Sequence, residues 1–211
     1  MCASGNESPP GRRGRGRRPA DDVRTEILEA AGRLLLDEGM AKFTVERVAS
    51  LSGASRMTIH KWWPSKGALA FDGYRASVAN VLTFPNTGDV EADLRAQLHA
   101  FVRLITETRA GRVLAELIGQ SQTDPELQAA LIEHYTTPRR NLGVETMKRG
   151  QADGQLRRDI DPYVVVDQLW GACYHRLLNP DLPITVGFAD ALLDNLWRGI
   201  AAEKVRKNVP R

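Results

Sequence analysis

Apolar residues recur every three to four positions along most of residues 21–202, which is the period of an amphipathic α-helix. No segment alternates apolar and polar residues with the period of a strand. Glycine, proline and capping residues divide the pattern into nine predicted helices, so the predicted fold class is all-α. The predicted helices are Asp21–Glu38, a short one after Thr44, Arg56–Trp62, Ser65–Leu82, a fifth from about Val90, a sixth around 113–118, a seventh from Pro125 to just before Asp153, an eighth from Pro162 and a ninth over Val186–Ala202. Asp124 and Asp161 are predicted to cap the seventh and eighth helices, each with proline at the first helical position, and Pro138 is predicted to kink or split the seventh.

Two short helices separated by a tight turn occupy residues 43–66. Thr44 can cap the first helix and Ser55 the second, because a hydroxyl oxygen accepts bonds from the free N–H groups of a helix start. Ser52-Gly53 interrupts the run, and this glycine suits a turn position with positive φ. Two short helices joined by a glycine-containing turn predict a helix-turn-helix, whose second helix reads base edges in the major groove of DNA.

The segment from about Arg24 to Leu69 contains ILEAAGRLLLDEGMAKFTVERVASLSGASRMTIHKWWPSKGAL. This segment resembles the DNA-binding region of the TetR (tetracycline-repressor-like) transcriptional regulators. Where that family usually has two tyrosines around a histidine and then phenylalanine, this chain has His60-Lys61-Trp62-Trp63. The resemblance implies an N-terminal three-helix helix-turn-helix DNA-binding domain and a C-terminal helical ligand-binding and dimerisation domain.

The predicted recognition helix places Ile59 and Trp63 inward and its other side chains outward. Arg56 and Thr58 are the candidate base readers, because a guanidinium can pair with guanine and a threonine methyl can touch thymine, and Met57 could add an apolar contact. For each of these residues the alternative is a solvated surface position. With the backbone contacts that the resemblance implies, the predicted DNA-binding set is Thr44, Ser55, Arg56, Met57, Thr58, His60, Lys61, Trp62 and Lys66.

Basic residues gather at the two ends of the chain. The 211 residues carry a net charge of +3, but residues 1–20 carry +4 and residues 203–211 carry +3, which leaves −4 between them. Residues 1–20 are rich in Gly, Pro, Ser and Arg and are predicted to be a disordered basic arm. The arm either follows the DNA backbone or minor groove, or is a solvated tail. The predicted division is completed by a helix-turn-helix domain over 21–66, a helical effector-binding and dimerisation domain over 67–204 and a tail over 205–211.

In the resemblance, the C-terminal helical domain binds a small-molecule effector, whose identity the sequence does not reveal. A pocket between helices would be mostly apolar with a few polar groups. For each candidate taken singly, the alternative is plain core or dimer interface. The candidate ligand-binding residues are Phe101, Ile105, Leu117, Met147, Trp170 and Tyr174, with His99 and His175 as polar partners.

The eighth and ninth predicted helices are apolar on more than one side, and one buried face needs only one stripe. This surplus, together with the resemblance, predicts a homodimer that forms through the last two helices. The alternative is that their apolar residues fill only the core of one subunit. The candidate interface residues are Val166, Cys173, Leu193, Leu196 and Trp197.

Other classes of protein have little support in the sequence. The four histidines are scattered, and neither a metal-binding spacing nor a phosphate loop nor a nucleophile elbow occurs, so we expect no enzyme, metal or cofactor. The two cysteines give no disulfide framework, and neither a membrane span nor a signal peptide is found, so the cytoplasm is the expected location. The expected partner is a double-stranded DNA operator, and the expected function is a ligand-responsive regulator, most simply a repressor. The alternative is a helical DNA-binding dimer without a ligand.

Overall fold

The computed structural model describes residues 19–179 and 181–202; the predicted tail and all but the last two residues of the predicted arm lie outside this part. The described residues are helical, which confirms the all-α prediction, and their one antiparallel bridge joins Leu156 to Ala201. The helices are α1 (Ala20–Glu38), α2 (Val45–Ser52), α3 (Arg56–Trp62), α4 (Lys66–Val78), α5 (Val90–Glu107), α6 (Ala110–Ser121), α7 (Pro125–Leu131), α8 (Thr137–Ala152), α9 (Pro162–Leu178) and α10 (Val186–Ile200).

Helices α1 to α3 form the predicted helix-turn-helix unit, and its caps are confirmed. Thr44 accepts a bond from the Arg47 amide at 3.2 Å, and Ser55 accepts one from the Thr58 amide at 3.0 Å. Gly53 joins α2 to α3 with φ 67°, in the left-handed region that a glycine adopts without steric cost. The turn therefore fixes the angle at which α3 leaves α2.

Helix α4 leads from the recognition helix into the C-terminal half and packs along α1. The two helices cross where Gly73 of α4 meets α1: a Cβ at Gly73 would lie 2.7 Å from the Cβ of Ala31 and 3.1 Å from the amide nitrogen of Gly32. Glycine therefore allows the two backbones to approach closely. Phe71 and Tyr74, also on α4, are fully buried, so this helix belongs to the core that both halves share.

Two predicted helices differ from the observed ones. The fourth ends at Val78, one turn before the predicted Leu82, because the chain turns over 79–82 to bury the Leu82 side chain. The predicted seventh helix is divided into α7 and α8 by a π-helical turn over Ile132–Thr136, next to the proline expected to break it. Asp124 and Asp161 cap α7 and α9 as predicted.

Helix α6 ties the C-terminal half to the end of α1. The guanidinium of Arg109 donates a 3.0 Å bond to the Asp37 carbonyl, and the Met40 amide donates a 3.3 Å bond to the Glu116 carboxylate. A movement of α6 would therefore displace the C-terminal end of α1, which belongs to the DNA-binding domain. Nothing observed tests the boundary at residue 66, which stays a prediction.

Candidate nucleic-acid interface and ligand cavity

Helix α3 presents one apolar side to the core and a polar side outward. Ile59 and Trp63 are buried as predicted, whereas Met57 is 82% exposed. Arg56, His60 and Lys61 are also exposed. The helix is therefore free to enter a groove of DNA along its outer side, as a recognition helix does.

The candidate base readers have partners on the protein surface. The hydroxyl groups of Ser55 and Thr58 lie 2.8 Å apart, within hydrogen-bonding distance of each other. Arg56 lies 3.5 Å from the carboxylate of Glu46, and both side chains are about two-thirds exposed, at 67% and 64%. Because exposed ion pairs contribute little, DNA could displace Glu46 from the guanidinium at small cost.

The predicted backbone-contacting residues surround α3. His60 and Lys61 lie at its last turn, and Trp62 is half-buried. Lys66 is exposed in the first turn of α4, which Ser65 caps. The N–H groups of a helix start also favour a phosphate. Thr44, at the start of α2, uses its hydroxyl oxygen for the cap.

A concave surface lies between the start of α1 and the recognition helix. Pro19, the first residue described, lines this surface, so residues 1–18 join the chain beside the candidate DNA-binding side chains. The five arginines of the predicted arm all precede this point by seven residues or fewer. The residues around the surface are Pro19, Ala20, Val23, Gly53, Ala54, Ser55, Met57, Thr58, His60, Lys61 and Trp62.

A buried polar cluster holds the end of the recognition helix. The indole Nε1 of Trp63 donates a 2.8 Å bond to Oδ2 of Asp72, while Oδ1 of the same carboxylate accepts a 3.0 Å bond from Nδ1 of His134. Arg75 adds a longer bond of 3.3 Å to Oδ1. Since His134 belongs to the π-helical turn, Asp72 connects α3 to the C-terminal domain. Periodicity identifies buried positions but not polar partners, so the sequence did not predict this cluster.

A cavity of about 270 Å³ lies between α5, α8 and α9 and is open to solvent at the exposed residues Thr136, Asp167 and Gly171. It brings together three of the six predicted ligand-binding residues, Phe101, Trp170 and Tyr174. The other three, Ile105, Leu117 and Met147, are buried in the core and do not line it. The cavity is lined by Phe101, Thr136, Arg139, Arg140, Val166, Asp167, Trp170, Gly171 and Tyr174.

The two histidines predicted as polar partners also lie elsewhere. Nε2 of His99 is 2.7 Å from the carboxylate of Asp190 on α10, and His175 is exposed near the end of α9. Asp167 of α9 lines the cavity, and the other polar groups there come from α8 and the π-helical turn, through Thr136, Arg139 and Arg140. Sequence reasoning missed them because these residues stand in a polar stretch, without an apolar stripe to mark an inward face.

Two buried tyrosines join the cavity wall to the core. The hydroxyl of Tyr174 donates to that of Tyr135 at 3.4 Å, and the Tyr135 ring packs edge-on against Tyr74 at 5.5 Å between centroids. Burial raises the pKa of Tyr135 and raises that of Tyr174 well above its ordinary value, so both remain hydroxyl donors near neutral pH. Phe101 packs edge-on against Tyr174 at 5.5 Å, which makes this wall aromatic.

Four of the five candidate interface residues are already enclosed within one chain. Val166, Cys173, Leu193 and Trp197 are buried in the single subunit, and Leu196 is half-buried. The prediction that the first four are available to a partner is therefore wrong, because α9 and α10 turn them toward α5 and α8. The outward face of α9 includes the exposed apolar residues Val164 and Leu178. The other outward residues are small or polar; they are Gln168, Gly171 and His175 on α9 and Gly187, Ala191, Asn195 and Arg198 on α10.

No group of three or more His, Cys, Asp or Glu residues in the described part of the chain is arranged to hold a metal ion. None of the described helices combines the length and the apolar character needed to cross a membrane.

Comparison with known proteins matches both halves of the chain. Residues 27–72 match the family described as bacterial regulatory proteins, tetR family, and residues 84–196 match the tetracyclin repressor-like C-terminal domain. The helix-turn-helix-type transcriptional regulator YdeS of Bacillus subtilis (strain 168) is 30% identical over 195 residues, which cover 92% of this chain and 98% of YdeS. The DNA-binding transcriptional repressor TetR of Mycobacteroides abscessus is 25% identical over 173 residues, covering 81% and 89% of the two chains.

A solved structure extends the similarity to the whole fold. The crystal structure of the TetR family transcription regulator SCO0332 is 54% identical in sequence and superposes with a TM-score of 0.79. The matched region covers 84% of this chain and 98% of SCO0332. The likeness therefore includes the helix-turn-helix unit and the C-terminal helices together.

Proposed function

Because the chain belongs to the TetR family of transcriptional regulators, we propose that it is a homodimeric repressor, released from a palindromic DNA operator by a small-molecule effector. The observation that carries the proposal is that one chain combines an exposed recognition helix with a separate, aromatic-walled cavity. The Asp72 cluster supports communication between them, since its hydrogen bonds run from Trp63 at the end of α3 to His134 beside the cavity.

Contact with DNA would use both kinds of candidate residue. Arg56, Met57 and Thr58 would meet base edges, because they lie at the exposed start of α3. Lys61 and Lys66, with Thr44, Ser55, His60 and Trp62 around them, would contact phosphates and fix the orientation of the helix. The basic arm would add an affinity that depends on salt.

Dimerisation would use the outward faces of α9 and α10. Ala191 and Gly187 leave the surface of α10 low enough for another helix to approach, and a Cβ at Gly171 of α9 would have no heavy atom within 4 Å. Half-buried Leu192 and Leu196 flank the small residues and would be covered on association. A two-fold contact would present two recognition helices to one palindrome, with half-site centres about 34–36 Å apart or a multiple of that distance.

Effector release requires that the ligand binds one arrangement of the protein better than the other. Thr136 lines the cavity and belongs to the same π-helical turn as His134, which hydrogen-bonds Asp72. A ligand that moved this turn would disturb the support of α3 and change the separation of the two recognition helices. The second candidate function, a DNA-binding dimer without a ligand, has the same DNA-binding face but leaves the cavity without a role.

One titration separates the two functions. Fluorescence anisotropy of a labelled duplex, bound by the protein, is followed while a collection of small molecules is added. We expect at least one compound to release the duplex from the wild-type protein and from Thr137→Trp. The same compound should not release the duplex from Thr136→Trp, because Thr136 lines the cavity and the new indole ring would fill it. Thr137, the next residue, does not line the cavity, so Thr137→Trp is the control. Release that is equal in both variants would remove the cavity from the proposal, and a collection without any releasing compound would favour the ligand-free function.

A further inference from the structure

Arg139 lies at the wall of the cavity and has no acidic partner within the described part of the chain. Nη1 of Arg139 donates a 2.6 Å bond to the Leu82 carbonyl, and its guanidinium lies 5.6 Å from the ring centroid of Phe84. Among the described residues, no carboxylate lies within ion-pairing distance of it. A guanidinium has five N–H donors, so the carbonyl leaves most of them available.

The neighbouring arginine shows the contrast. Arg140 pairs with the carboxylate of Asp167, with Nε at 2.7 Å from Oδ1, and its side chain is 37% exposed at the rim of the cavity. Arg139 is further from solvent, and burial lowers its pKa because its charge has lost water without gaining a carboxylate. An anionic ligand would supply the missing counter-charge and accept hydrogen bonds from the remaining N–H groups. Such charge-assisted hydrogen bonds to a guanidinium are among the stronger polar interactions in proteins.

The remaining walls define the rest of the ligand. Phe101, Trp170 and Tyr174 present aromatic surface, and Val166 is aliphatic. Trp170 packs against Phe84 at 5.6 Å between centroids, so the aromatic wall continues to the ring that underlies Arg139. A cavity of about 270 Å³ suits a compact molecule. A cationic ligand is disfavoured, because Arg139 would repel it and the rim pair is electrically neutral.

We infer that the effector is a compact aromatic anion, whose rings lie among Phe101, Trp170 and Tyr174 and whose carboxylate or sulfonate group accepts hydrogen bonds from Arg139. This inference rests on the proposed effector-binding function of the same cavity and adds the charge and the chemical class of the ligand.

Two fluorescent probes that differ in one group test the charge. Anilinonaphthalene sulfonate carries an anion, and N-phenyl-naphthylamine has the same rings without it. Both are titrated into the full-length wild-type protein, and dissociation constants are obtained from the rise in fluorescence. We expect the sulfonate to bind about tenfold or more tightly than the neutral amine, as for a hydrogen-bonded charged group. Equal binding of the two probes would overturn the inference.

Variants then assign the preference to one side chain. Arg139→Gln should lose the preference for the sulfonate, and Arg139→Lys, which keeps the charge, should retain part of it. Unchanged binding of the neutral amine to Arg139→Gln would show that the cavity is intact. If Arg139→Gln unfolds, it loses both probes, and the preference of Arg139→Lys for the sulfonate then tests the role of the charge. The control is Lys148→Gln, which removes a positive charge from the exposed side of the same helix, outside the cavity, and should keep the preference.

The outcomes for the charge and for the cavity are distinct. If Arg139→Gln binds the sulfonate as tightly as the wild type, Arg139 does not recognise an anion, yet the cavity remains a ligand site. If neither probe binds the wild type although a compound of the collection releases DNA, the inference fails and the effector function stands. If no compound releases DNA either, the inference fails together with the effector function on which it rests.

Discussion

Trp63, directly after the recognition helix, donates a 2.8 Å hydrogen bond from its buried indole to the carboxylate of Asp72 on α4. Both side chains are almost fully buried, at 1% and 4% exposure. Since the same carboxylate accepts a bond from His134, this contact unites the DNA-binding domain, α4 and the π-helical turn. The position of α3 therefore depends on a polar contact inside the protein as well as on its apolar stripe.

The first prediction concerns this contact. Asp72→Ala should lower the free energy of unfolding by about 1–3 kcal/mol, because it leaves the buried indole N–H without an acceptor. Trp63→Phe removes the donor and should cost less in an Asp72→Ala background than in the wild type. Urea titrations followed by circular dichroism measure all four proteins. Strictly additive effects would mean that the bond contributes nothing to stability.

A second prediction concerns the crossing of α1 and α4. Gly73→Ala should destabilise the protein by about 1–3 kcal/mol, because its Cβ would meet backbone and Cβ atoms of α1 that cannot turn away. Gly119→Ala is the matched control: it is an exposed helical glycine whose Cβ would meet no atom within 4 Å. Better helix propensity should leave that variant unchanged or stabilise it by up to about 1 kcal/mol. Thermal melts measure the melting temperatures of both variants. If both variants melted above the wild type, or both below it, the close approach of α1 and α4 at Gly73 would be contradicted.

The third prediction separates base reading from phosphate contact. Arg56→Ala or Thr58→Ala should weaken binding to a preferred duplex by about 1–3 kcal/mol and relax the preference at particular base pairs. Lys66→Ala should weaken binding to all sequences alike, since the contact proposed for Lys66 is with a phosphate, which carries no sequence information. Competition with singly substituted duplexes measures the preference. A change of base preference in Lys66→Ala alone would show that α3 is not the reading helix.

Removal of residues 1–18 forms the fourth prediction. The arm joins the chain at Pro19, beside the recognition helix, and carries five arginines. Its loss should flatten the plot of log affinity against log salt concentration, by roughly 0.9 for each phosphate contact removed, without altering the circular dichroism spectrum. An unchanged slope would make the arm a solvated tail.

A fifth prediction concerns the dimer. Ala191→Arg places a charge on the outward face of α10 and acts twice in an isologous contact, so it should give a folded monomer. Leu193→Glu should instead unfold the chain, because Leu193 is fully buried within one subunit. Light scattering and circular dichroism report the two effects. A folded dimer of Ala191→Arg would place the subunit contact on other helices.

The sequence predicts best what local patterns determine. The caps at Thr44, Ser55 and Asp124 and the left-handed Gly53 follow from the chemistry of one or two residues, and all are confirmed. The stripe of α3 likewise predicts its buried side, because a helical period fixes which residues share a face.

Features that depend on distant partners could not be predicted in the same way. Asp72 and His134 are 62 residues apart, and only the tertiary fold brings them together. Apolar periodicity could not distinguish Phe101, which lines the cavity, from Ile105, which lies one turn further along the same helix face and is buried in the core. On α10, Leu193 was predicted for the interface because its stripe looked too wide for one core, yet the packing of α5 against that helix buries it.

The most direct measurement of the central claim is a selection of bound duplexes from a random-sequence pool by the purified full-length protein, followed by sequencing. A homodimeric regulator with α3 in the major groove should enrich an inverted repeat whose half-site centres lie about one helical turn, or a multiple of it, apart. The double variant Arg56→Ala with Thr58→Ala should lose that enrichment while keeping its dimeric state. Enrichment of no sequence, or of a single unrepeated site that the double variant also selects, would contradict the account.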